Sequence, residues 1–265
     1  MSDDFQQALN ESLPVLKKIR GGFGPQPTAS RRLLEELRTI APAKGSTLKE
    51  TPAEPVAGTV TWTLDTLRKA ALVCTKCPHL VKSRTQVVFG VGNPKAELMF
   101  VGEAPGADED LQGEPFVGKA GQLLTKIIQA MGFERNDIYI ANVLKCRPDM
   151  PPGMMGNRKP KLEEMHTCLP WLEKQIELIQ PRVMVALGAT AVEGLLGNAS
   201  PVGKLRGHWL DFRGIPVMAT YHPAYLLRNQ SITEKRKVWE DMLLVLERLG
   251  HPITAKQRKF FTQTA

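Results

Sequence analysis

Four short apolar runs alternate with helical segments between residues 97 and 249, and this alternation limits the possible folds more than any other feature. Apolar runs of roughly four to eight residues are typical of strands that are buried on both faces. The segments between them have apolar residues at helical spacing and are long enough to connect parallel strands. We expect strands over 97–101, 138–143, 182–187 and 215–220, and helices over 120–131, 161–179, 189–196 and 238–249.

The alternation predicts an α/β fold in which helices cover both faces of a parallel sheet. In such sheets the ligand site lies beyond the carboxyl ends of the strands. The loops that follow Val101, Val143, Leu187 and Thr220 are therefore the segments in which to look for chemistry.

The two ends of the chain differ from this central region. Residues 1–60 are rich in proline and alanine, so we expect a partly flexible extension with one or two helical pieces. Residues 61–250 form the predicted folded domain, and residues 251–265 a basic tail. No apolar run approaches the ~18 residues of a membrane span, and no signal-peptide pattern precedes the domain. We therefore expect a cytoplasmic protein.

The balance of charge is basic. The chain has 35 Lys and Arg residues against 27 Asp and Glu residues, a formal net charge of +8, and nearly all of the surplus lies beyond residue 60. A basic folded domain suggests a polyanionic partner such as a nucleic acid. A solvated basic surface that serves only solubility is the alternative, and charge alone does not distinguish the two.

The sequence has four cysteines, two of them in a C-x-x-C pair. They are Cys74, Cys77, Cys146 and Cys168. A reducing compartment disfavours disulfides, so a metal site or a redox pair is expected. Four thiolates that meet at one point suit a structural zinc or a [4Fe–4S] cluster, and spacing alone separates these poorly. Lys76, Lys145 and Arg147 flank the cysteines and are expected near solvent, where they would stabilise thiolates.

The loop after the first strand is dense in glycine, proline and carboxylates over residues 102–121 and leads into a helix. Glycine lets backbone amides approach a ligand closely, so this loop is a candidate binding segment. Residues 113–119 also match the G-x-x-x-x-G-K motif of nucleotide hydrolases. Ala120 stands where that motif needs a Ser or Thr hydroxyl for magnesium, which disfavours this alternative.

Two further loops place polar side chains at the ends of predicted strands. Asn142 ends the second strand, and its amide offers one donor and one acceptor for a base edge, although capping a turn is the commoner role. His222 follows the fourth strand, where it either faces a ligand or serves a structural role. Leu226, Leu227 and Arg228 come next, as core residues or as an apolar wedge of the kind that unstacks DNA.

These motifs together resemble the family 4 uracil-DNA glycosylases, the iron–sulfur members of the uracil glycosylase superfamily. The resemblance spans about residues 67–249 and falls on independent loops in the right order. The matching stretches are 102–106, 113–124, 142–148 and 222–224. The resemblance implies a three-layer α/β/α fold with a four-stranded parallel sheet, and a [4Fe–4S] cluster held by all four cysteines.

The resemblance implies that the chain flips uracil out of single- or double-stranded DNA and hydrolyses its N-glycosidic bond, leaving an abasic site for base excision repair. Phe116 would stack on the flipped base, and Asn142 would accept from N3–H and donate to O4. Glu109 would exclude thymine by crowding at C5. Backbone amides of the first loop, around Ala104 and Gly106, would hold the other side of the base.

The resemblance also implies roles for the bond-breaking step. His222 would stabilise the negative charge that develops on uracil near O2. Other branches carry an Asp where this chain has Ala104, so Glu103, the nearest carboxylate, receives the role of positioning the water. The segment of Leu226, Leu227 and Arg228 would enter the space that the flipped nucleotide leaves.

Several alternatives stay open. A related branch captures uracil-DNA covalently through a His in an inserted loop, but residues 147–161 contain no His, which argues against covalent capture. A non-catalytic nucleic-acid-binding module with a structural metal is the main alternative to an enzyme. Residues 257–261 loosely resemble peptides that dock on sliding clamps, and a basic tail on DNA phosphates is the simpler reading. We expect a monomer that acts on nucleoid DNA.

Overall fold

A computed structural model describes residues 61–151, 153–154 and 156–262 of the chain. The extension predicted over residues 1–60 lies outside the described residues. In the part that is described, no helix combines the length and the apolar character that a bilayer span requires.

The centre of the fold is a six-stranded sheet with the order β1-β3-β2-β4-β6-β5. The four inner strands, β3, β2, β4 and β6, are parallel, as the alternation predicted. Two short antiparallel strands, β1 and β5, extend the sheet at its edges and were not predicted. The strands are β1 (Val91–Gly92), β2 (Leu98–Gly102), β3 (Tyr139–Asn142), β4 (Val183–Leu187), β5 (Trp209–Phe212) and β6 (Ile215–Thr220).

The edge strand β5 exists because a two-residue turn folds it back on β6. Both turn residues, Arg213 (φ 53°) and Gly214 (φ 87°), have the positive φ angles of the turn type that suits the twist of a hairpin. The Gly214 N–H also donates to Asp211 Oδ1 at 3.1 Å. The Arg-Gly pair between two partly apolar runs was the sequence signal for this hairpin.

Ten helices surround the sheet in the described residues. The predicted helices are confirmed to within one residue at their boundaries, except that the last begins six residues earlier, at Ile232, where Ser231 Oγ caps it. The helices are α1 (Leu64–Leu72), α2 (Pro78–Ser83), α3 (Ala107–Gln112), α4 (Lys119–Met131), α5 (Leu162–Ile179), α6 (Ala189–Leu196), α7 (Val202–Leu205), α8 (Pro223–Arg228), α9 (Ile232–Leu249) and α10 (Ala255–Arg258).

Alternate residues of each inner strand pack into two separate hydrophobic cores. In β2, Met99 and Val101 face one core, which includes Leu172 of α5. Leu98 and Phe100 face the other core, which includes residues of α4 and α9. Because the strands are buried on both faces, their sequences are continuous apolar runs rather than alternating ones. The three-layer α/β/α arrangement is confirmed.

The predicted basic tail, which is described as far as Thr262, packs on the domain through Gln257 and Phe260. Trp239 Nε1 donates to the Gln257 carbonyl at 2.6 Å, and the Phe260 ring lies 5.2 Å from the Trp239 ring. The Gln257 side-chain amide donates to the Ala130 carbonyl at 3.0 Å. The Gln257 and Phe260 side chains are thus engaged within the fold, and docking of this tail on a sliding clamp stays a prediction.

Candidate active site and metal centre

Phe116, Asn142 and His222 meet at the carboxyl end of the parallel strands. Gly102 ends β2 between them, and a Cβ atom added there would stand 2.3 Å from Asn142 Oδ1 and 2.6 Å from the Phe116 ring. The ring centroids of Phe116 and His222 are 5.6 Å apart, with planes inclined at 30°. Three residues that are far apart in the sequence therefore lie close together around the end of β2, where only glycine leaves room for the Asn142 and Phe116 side chains.

The Phe116 ring is held by an unusual backbone conformation. Phe116 has φ 57°, a left-handed value that bulky residues rarely adopt, and its side chain is buried. Gly121 in the first turn of α4 lies directly against it, since a Cβ at Gly121 would stand 1.9 Å from the Phe116 carbonyl oxygen. The close approach of helix and loop fixes the ring over the pocket.

Glu109 fixes the same loop from the other side. Its Oε1 accepts hydrogen bonds from the Val117 and Gly118 amides, both at 3.0 Å, and its Oε2 accepts from the Gly106 amide at 3.1 Å. The Gly106 N–H is therefore not free to hold a base, which corrects that prediction. Glu109 supports the segment that carries Phe116, and crowding of a 5-methyl group by Glu109 stays a prediction.

The same contacts exclude the nucleotide-hydrolase alternative on physical grounds. In a phosphate-binding loop, the backbone amides between the two motif glycines point at phosphate oxygens. Here the amides of Val117 and Gly118 are taken by the Glu109 carboxylate. A phosphate at this place would also meet Asp108, whose carboxylate faces Gly118. The negative Asp108 carboxylate would repel the negative phosphate.

The Asn142 amide presents an unused acceptor to the pocket. Asn142 ends β3 in register with Gly102 and is 2% exposed, yet its Oδ1 has no hydrogen-bond partner in the structure. Buried polar atoms without a partner are rare and costly, and in a pocket they mark the place of a ligand donor. Asn142 is thus arranged to accept a hydrogen bond from an N–H group of a bound molecule.

His222 is arranged as a neutral donor. It caps α8, and its Nδ1 accepts a hydrogen bond from the Ala224 amide at 3.1 Å, which leaves the proton on Nε2. Burial and, to a smaller extent, the nearby Arg228 charge lower the pKa of His222 to about 4, with Glu109 opposing them. At neutral pH the ring therefore offers an uncharged Nε2–H.

Glu103 and Ala104 directly follow Gly102, the last residue of β2. Burial raises the pKa of Glu103, while Thr190 and Lys159 lower it in part. Ala104 packs against the apolar residues beside Cys146. Any contact of Ala104 with a base would thus come from its backbone, and the role of Glu103 in positioning water stays a prediction.

The predicted wedge is a short helix rather than a loop, and this corrects the role of Leu226. Leu226 is 4% exposed and lies beside Leu123, Val238 and Trp239, so it belongs to the support of α8. Leu227 is 38% exposed and Arg228 is exposed. Neighbouring residues of a helix point about 100° apart, so only one of the two leucines faces outward. Leu227 and Arg228 stay candidates for insertion into DNA.

The four cysteines line one cavity together with Arg84. Cys146 and Cys168 are buried, and Cys74 and Cys77 are half-buried. Arg84 Nη1 donates to Cys146 Sγ at 3.1 Å, and its Nη2 donates to the Cys74 carbonyl at 2.7 Å. The sequence order placed the cysteines on three separate segments, and the fold brings them to one point.

The chemistry of this cavity fits a bound cation. Burial raises the pKa of Cys168 to about 12 and also raises the pKa of Cys146. Burial and the neighbouring thiols Cys146 and Cys74 raise the pKa of Cys77. Four thiolates need a positive partner in such a place, and sulfur ligands suit zinc or an iron–sulfur cluster.

Lys145 was predicted near solvent and is instead 1% exposed. Its backbone N–H donates to Cys168 Sγ at 3.2 Å, while its Nζ donates to the Asn142 carbonyl at 2.9 Å and to Gln175 Oε1. Burial lowers its pKa to about 7, with Cys168 opposing. Sequence reasoning missed its burial, and the one available signal was that Lys145 directly follows the apolar residues Val143 and Leu144.

A second group of potential metal ligands, His79, Asp149 and Glu164, lies beside the cysteine cavity. Arg158 already occupies the space between the acids, because its guanidinium pairs with both Asp149 and Glu164. Glu164 also accepts from His79 Nε2 at 2.7 Å. This group is an ion-pair network that ties the loop after Cys146 to α5.

Comparison with known proteins agrees with this geometry. The sequence matches the family described as the uracil DNA glycosylase superfamily over residues 89–243. It is 48% identical over 172 residues to the type-4 uracil-DNA glycosylase of Thermotoga maritima, which covers 64% of this chain and 85% of that protein. It is 42% identical over 180 residues to the type-4 enzyme of Archaeoglobus fulgidus, which covers 65% and 87%. A type-5 enzyme of Pyrobaculum aerophilum is 30% identical over 188 residues, covering 59% and 80%.

The family match includes Phe116, Asn142 and His222 and covers more than half of the chain. The identities to the type-4 enzymes exceed the identity to the type-5 enzyme. The chain therefore belongs to the uracil DNA glycosylase superfamily, and within it to the type-4 uracil-DNA glycosylases.

Proposed function

We propose that this protein excises uracil from DNA by hydrolysing its N-glycosidic bond, and leaves an abasic site for base excision repair. The main support for the proposal is that Phe116, Asn142 and His222 lie close together around Gly102, which has no side chain to fill the space between them. An aromatic face, an unpaired amide and a neutral histidine donor are the groups that one flipped pyrimidine needs.

The unpartnered side-chain oxygen of Asn142 explains how the base would be recognised. Asn142 Oδ1 accepts from uracil N3–H, and the amide nitrogen donates to O4. Cytosine has an acceptor at N3 and a donor at N4, so it would face the amide with like groups and leave buried atoms unpaired. Phe116 stacks on the base, and the backbone around Ala104 faces it from the far side.

The leaving group is stabilised by His222. Cleavage of the glycosidic bond leaves negative charge on uracil, and the Nε2–H donates to O2, where this charge accumulates. A fixed donor in a buried pocket is worth more than water, because no solvent must reorganise during the reaction. Water adds to the sugar carbon, and its proton leaves towards Glu103 or solvent.

We further propose that Cys74, Cys77, Cys146 and Cys168 hold a [4Fe–4S] cluster. The all-sulfur donor set and the N–H groups of Arg84 and Lys145 directed at two of the sulfurs support it. The bound cluster would supply iron–thiolate bonds that join the segment before β1 to the segments after β3. The protein residues of the pocket perform the excision.

The substrate is uracil-containing DNA, single- or double-stranded. Leu227 and Arg228 are exposed at the end of α8 and would fill the place of the flipped nucleotide in a duplex. The basic surplus of the domain favours the DNA backbone. Such a substrate would place a monomeric enzyme with the nucleoid in the cytoplasm.

The decisive experiment incubates the purified, cluster-loaded protein with an oligonucleotide that contains one uracil, without magnesium, followed by alkaline cleavage. We expect strand scission at the uracil and none in an oligonucleotide with thymine at that position. Asn142→Ala and Phe116→Ala should each reduce scission by about 100-fold or more, the order of magnitude of a lost transition-state contact.

Asn198→Ala is a matched control for Asn142→Ala. Asn198 follows the carboxyl end of α6, where its Oδ1 accepts from the Ser200 amide at 3.0 Å, and its replacement should leave the rate unchanged. A well-folded protein that binds uracil-DNA without scission would favour a non-catalytic module. A complex that survives denaturation would favour covalent capture.

A further inference from the structure

Lys145 lies between the base-reading Asn142 and the cysteine cavity, and it contacts both. Its Nζ donates to the Asn142 carbonyl at 2.9 Å, and its backbone N–H donates to Cys168 Sγ at 3.2 Å. The side chain is 1% exposed. Since burying an amine is costly, a lysine at this place needs a reason beyond filling space.

The side chain of Lys145 is held rather than mobile. Its second acceptor is Gln175 Oε1 on α5. Gln175 is itself fully buried, and its Nε2 donates to the Phe89 carbonyl and to the Tyr139 hydroxyl, both at 3.0 Å. Every polar atom of this chain of contacts has a partner, so the position of Nζ is fixed by three separate segments.

Asn142 needs such support because its side-chain oxygen is not held by any hydrogen bond within the described residues. Beyond Asn142, the Val143 amide donates to the Gly102 carbonyl at 2.9 Å, and the Leu144 amide donates to the Glu103 carbonyl at 3.0 Å. The peptide after Asn142 is therefore held at two points: its N–H donates to the Gly102 carbonyl, and its carbonyl accepts from the Lys145 amine, which lies outside the sheet.

We propose that Lys145 is a positioning residue for base recognition, which fixes the Asn142 peptide so that the amide faces the flipped base. This inference rests on the proposed uracil excision. Lys145 does not touch the base and acts only through Asn142. Both an ammonium and a neutral amine donate hydrogen bonds, so the role does not depend on the charge of Lys145.

The test replaces Lys145 with Met, which has a similar length and no donor. Three quantities are measured on cluster-loaded protein: the single-turnover excision rate, the Kd for a uracil-containing oligonucleotide, and inhibition by free uracil. We expect the rate of Lys145→Met to fall about 10- to 100-fold, since misplacement of a reacting contact by about 1 Å has such effects. DNA affinity should change less than about threefold, and inhibition by free uracil should weaken together with the rate.

Tyr139→Phe is the matched control. It removes one buried hydrogen bond from the same network, at the end remote from Asn142, and should lower the thermal midpoint without changing the rate. Visible absorbance per chain is recorded for each variant, so that a loss of cluster is recognised. Gln175→Met is the second variant, which leaves Lys145 in place with one acceptor fewer, and we expect a smaller loss of rate, about 3- to 10-fold.

The positioning role is overturned if Lys145→Met and Gln175→Met both keep the wild-type rate, or if inhibition by free uracil is unchanged. It is also overturned if the rate falls only in proportion to lost cluster absorbance, or equally in Tyr139→Phe. Failure of the proposed function would look different, because the wild-type protein itself would then leave uracil in place.

Discussion

At the scale of single residues, the pocket depends on side chains that backbone groups hold in place. Asn142 and His222 were expected from their places at strand ends, where ligands bind, and Phe116 was expected from the resemblance to the family 4 enzymes. The sequence did not predict that Glu109 takes the Gly106 amide or that Lys145 is buried. Those contacts join residues whose proximity only the packed fold creates, so local patterns carry no signal of them.

The depressed pKa of His222 predicts a dependence of stability on pH. The folded protein binds a proton at His222 only near pH 4, whereas the unfolded chain binds it near pH 6.5. Between these values the unfolded state holds more protons, so stability rises with pH, by at most about 1.4 kcal/mol per unit. We expect the thermal midpoint of His222→Gln to rise less steeply between pH 4.5 and 6.5 than that of the wild type.

The exposed His208 supplies the comparison for this measurement. His208→Gln should keep the wild-type slope, because this side chain lies exposed at the surface. An equal slope for His222→Gln and wild type would show that His222 titrates normally in the folded protein.

At the scale of elements, helix caps and close contacts decide how the loops present their residues. The long helices were predictable from apolar spacing, and the short helices α3 and α8 were not, since six residues carry too little periodicity. The helix α8 matters most, because it turned a predicted wedge of three residues into one buried and two exposed positions.

Gly121 sets the distance between α4 and the Phe116 backbone. Gly121→Ala would place a Cβ 1.9 Å from the Phe116 carbonyl oxygen, so helix and loop must separate. We expect a loss of about 1 to 3 kcal/mol in stability and a fall of about 100-fold in excision, measured by thermal unfolding and single-turnover kinetics. Gln122→Ala, exposed on the same turn, should change neither; wild-type activity in Gly121→Ala would refute the coupling.

The two leucines of α8 should respond to truncation in opposite ways. Leu226→Ala removes a buried side chain and should cost about 2 to 5 kcal/mol of stability. Leu227→Ala should leave stability within about 0.5 kcal/mol and should slow excision from double-stranded DNA about tenfold more than from single strands, because only a duplex must be unstacked. Equal effects on both substrates would remove Leu227 from the wedge.

At the scale of the whole molecule, the cysteine cavity joins segments that are distant in sequence. The sheet and its two cores were predictable from continuous apolar runs. The edge strands were not, because β1 has only two residues and β5 is a partly exposed strand interrupted by Asp211. The convergence of the cysteines followed from a resemblance rather than from spacing, which leaves zinc and iron equally suited.

Removing one ligand tests this centre. Cys146→Ser should abolish the brown colour and the bound iron. It should also lower the thermal midpoint by several degrees, because the metal centre would no longer cross-link residues that are far apart in the sequence. Iron content, visible absorbance and thermal unfolding measure these effects. Thr167→Ser, which lines the same cavity without supplying a thiol, should retain all three. Stoichiometric zinc in the wild-type protein would contradict an iron–sulfur cluster.

The short antiparallel strands at both sides of the sheet have a consequence for handling the protein. Long parallel strands with free N–H and C=O groups at an open border recruit strands from other copies and start aggregation. Among the described residues, the outermost strands of the sheet are β1, with two residues, and β5, with four, so this part of the chain leaves little open strand edge for another chain to join. Concentrated solutions of this domain should therefore stay clear.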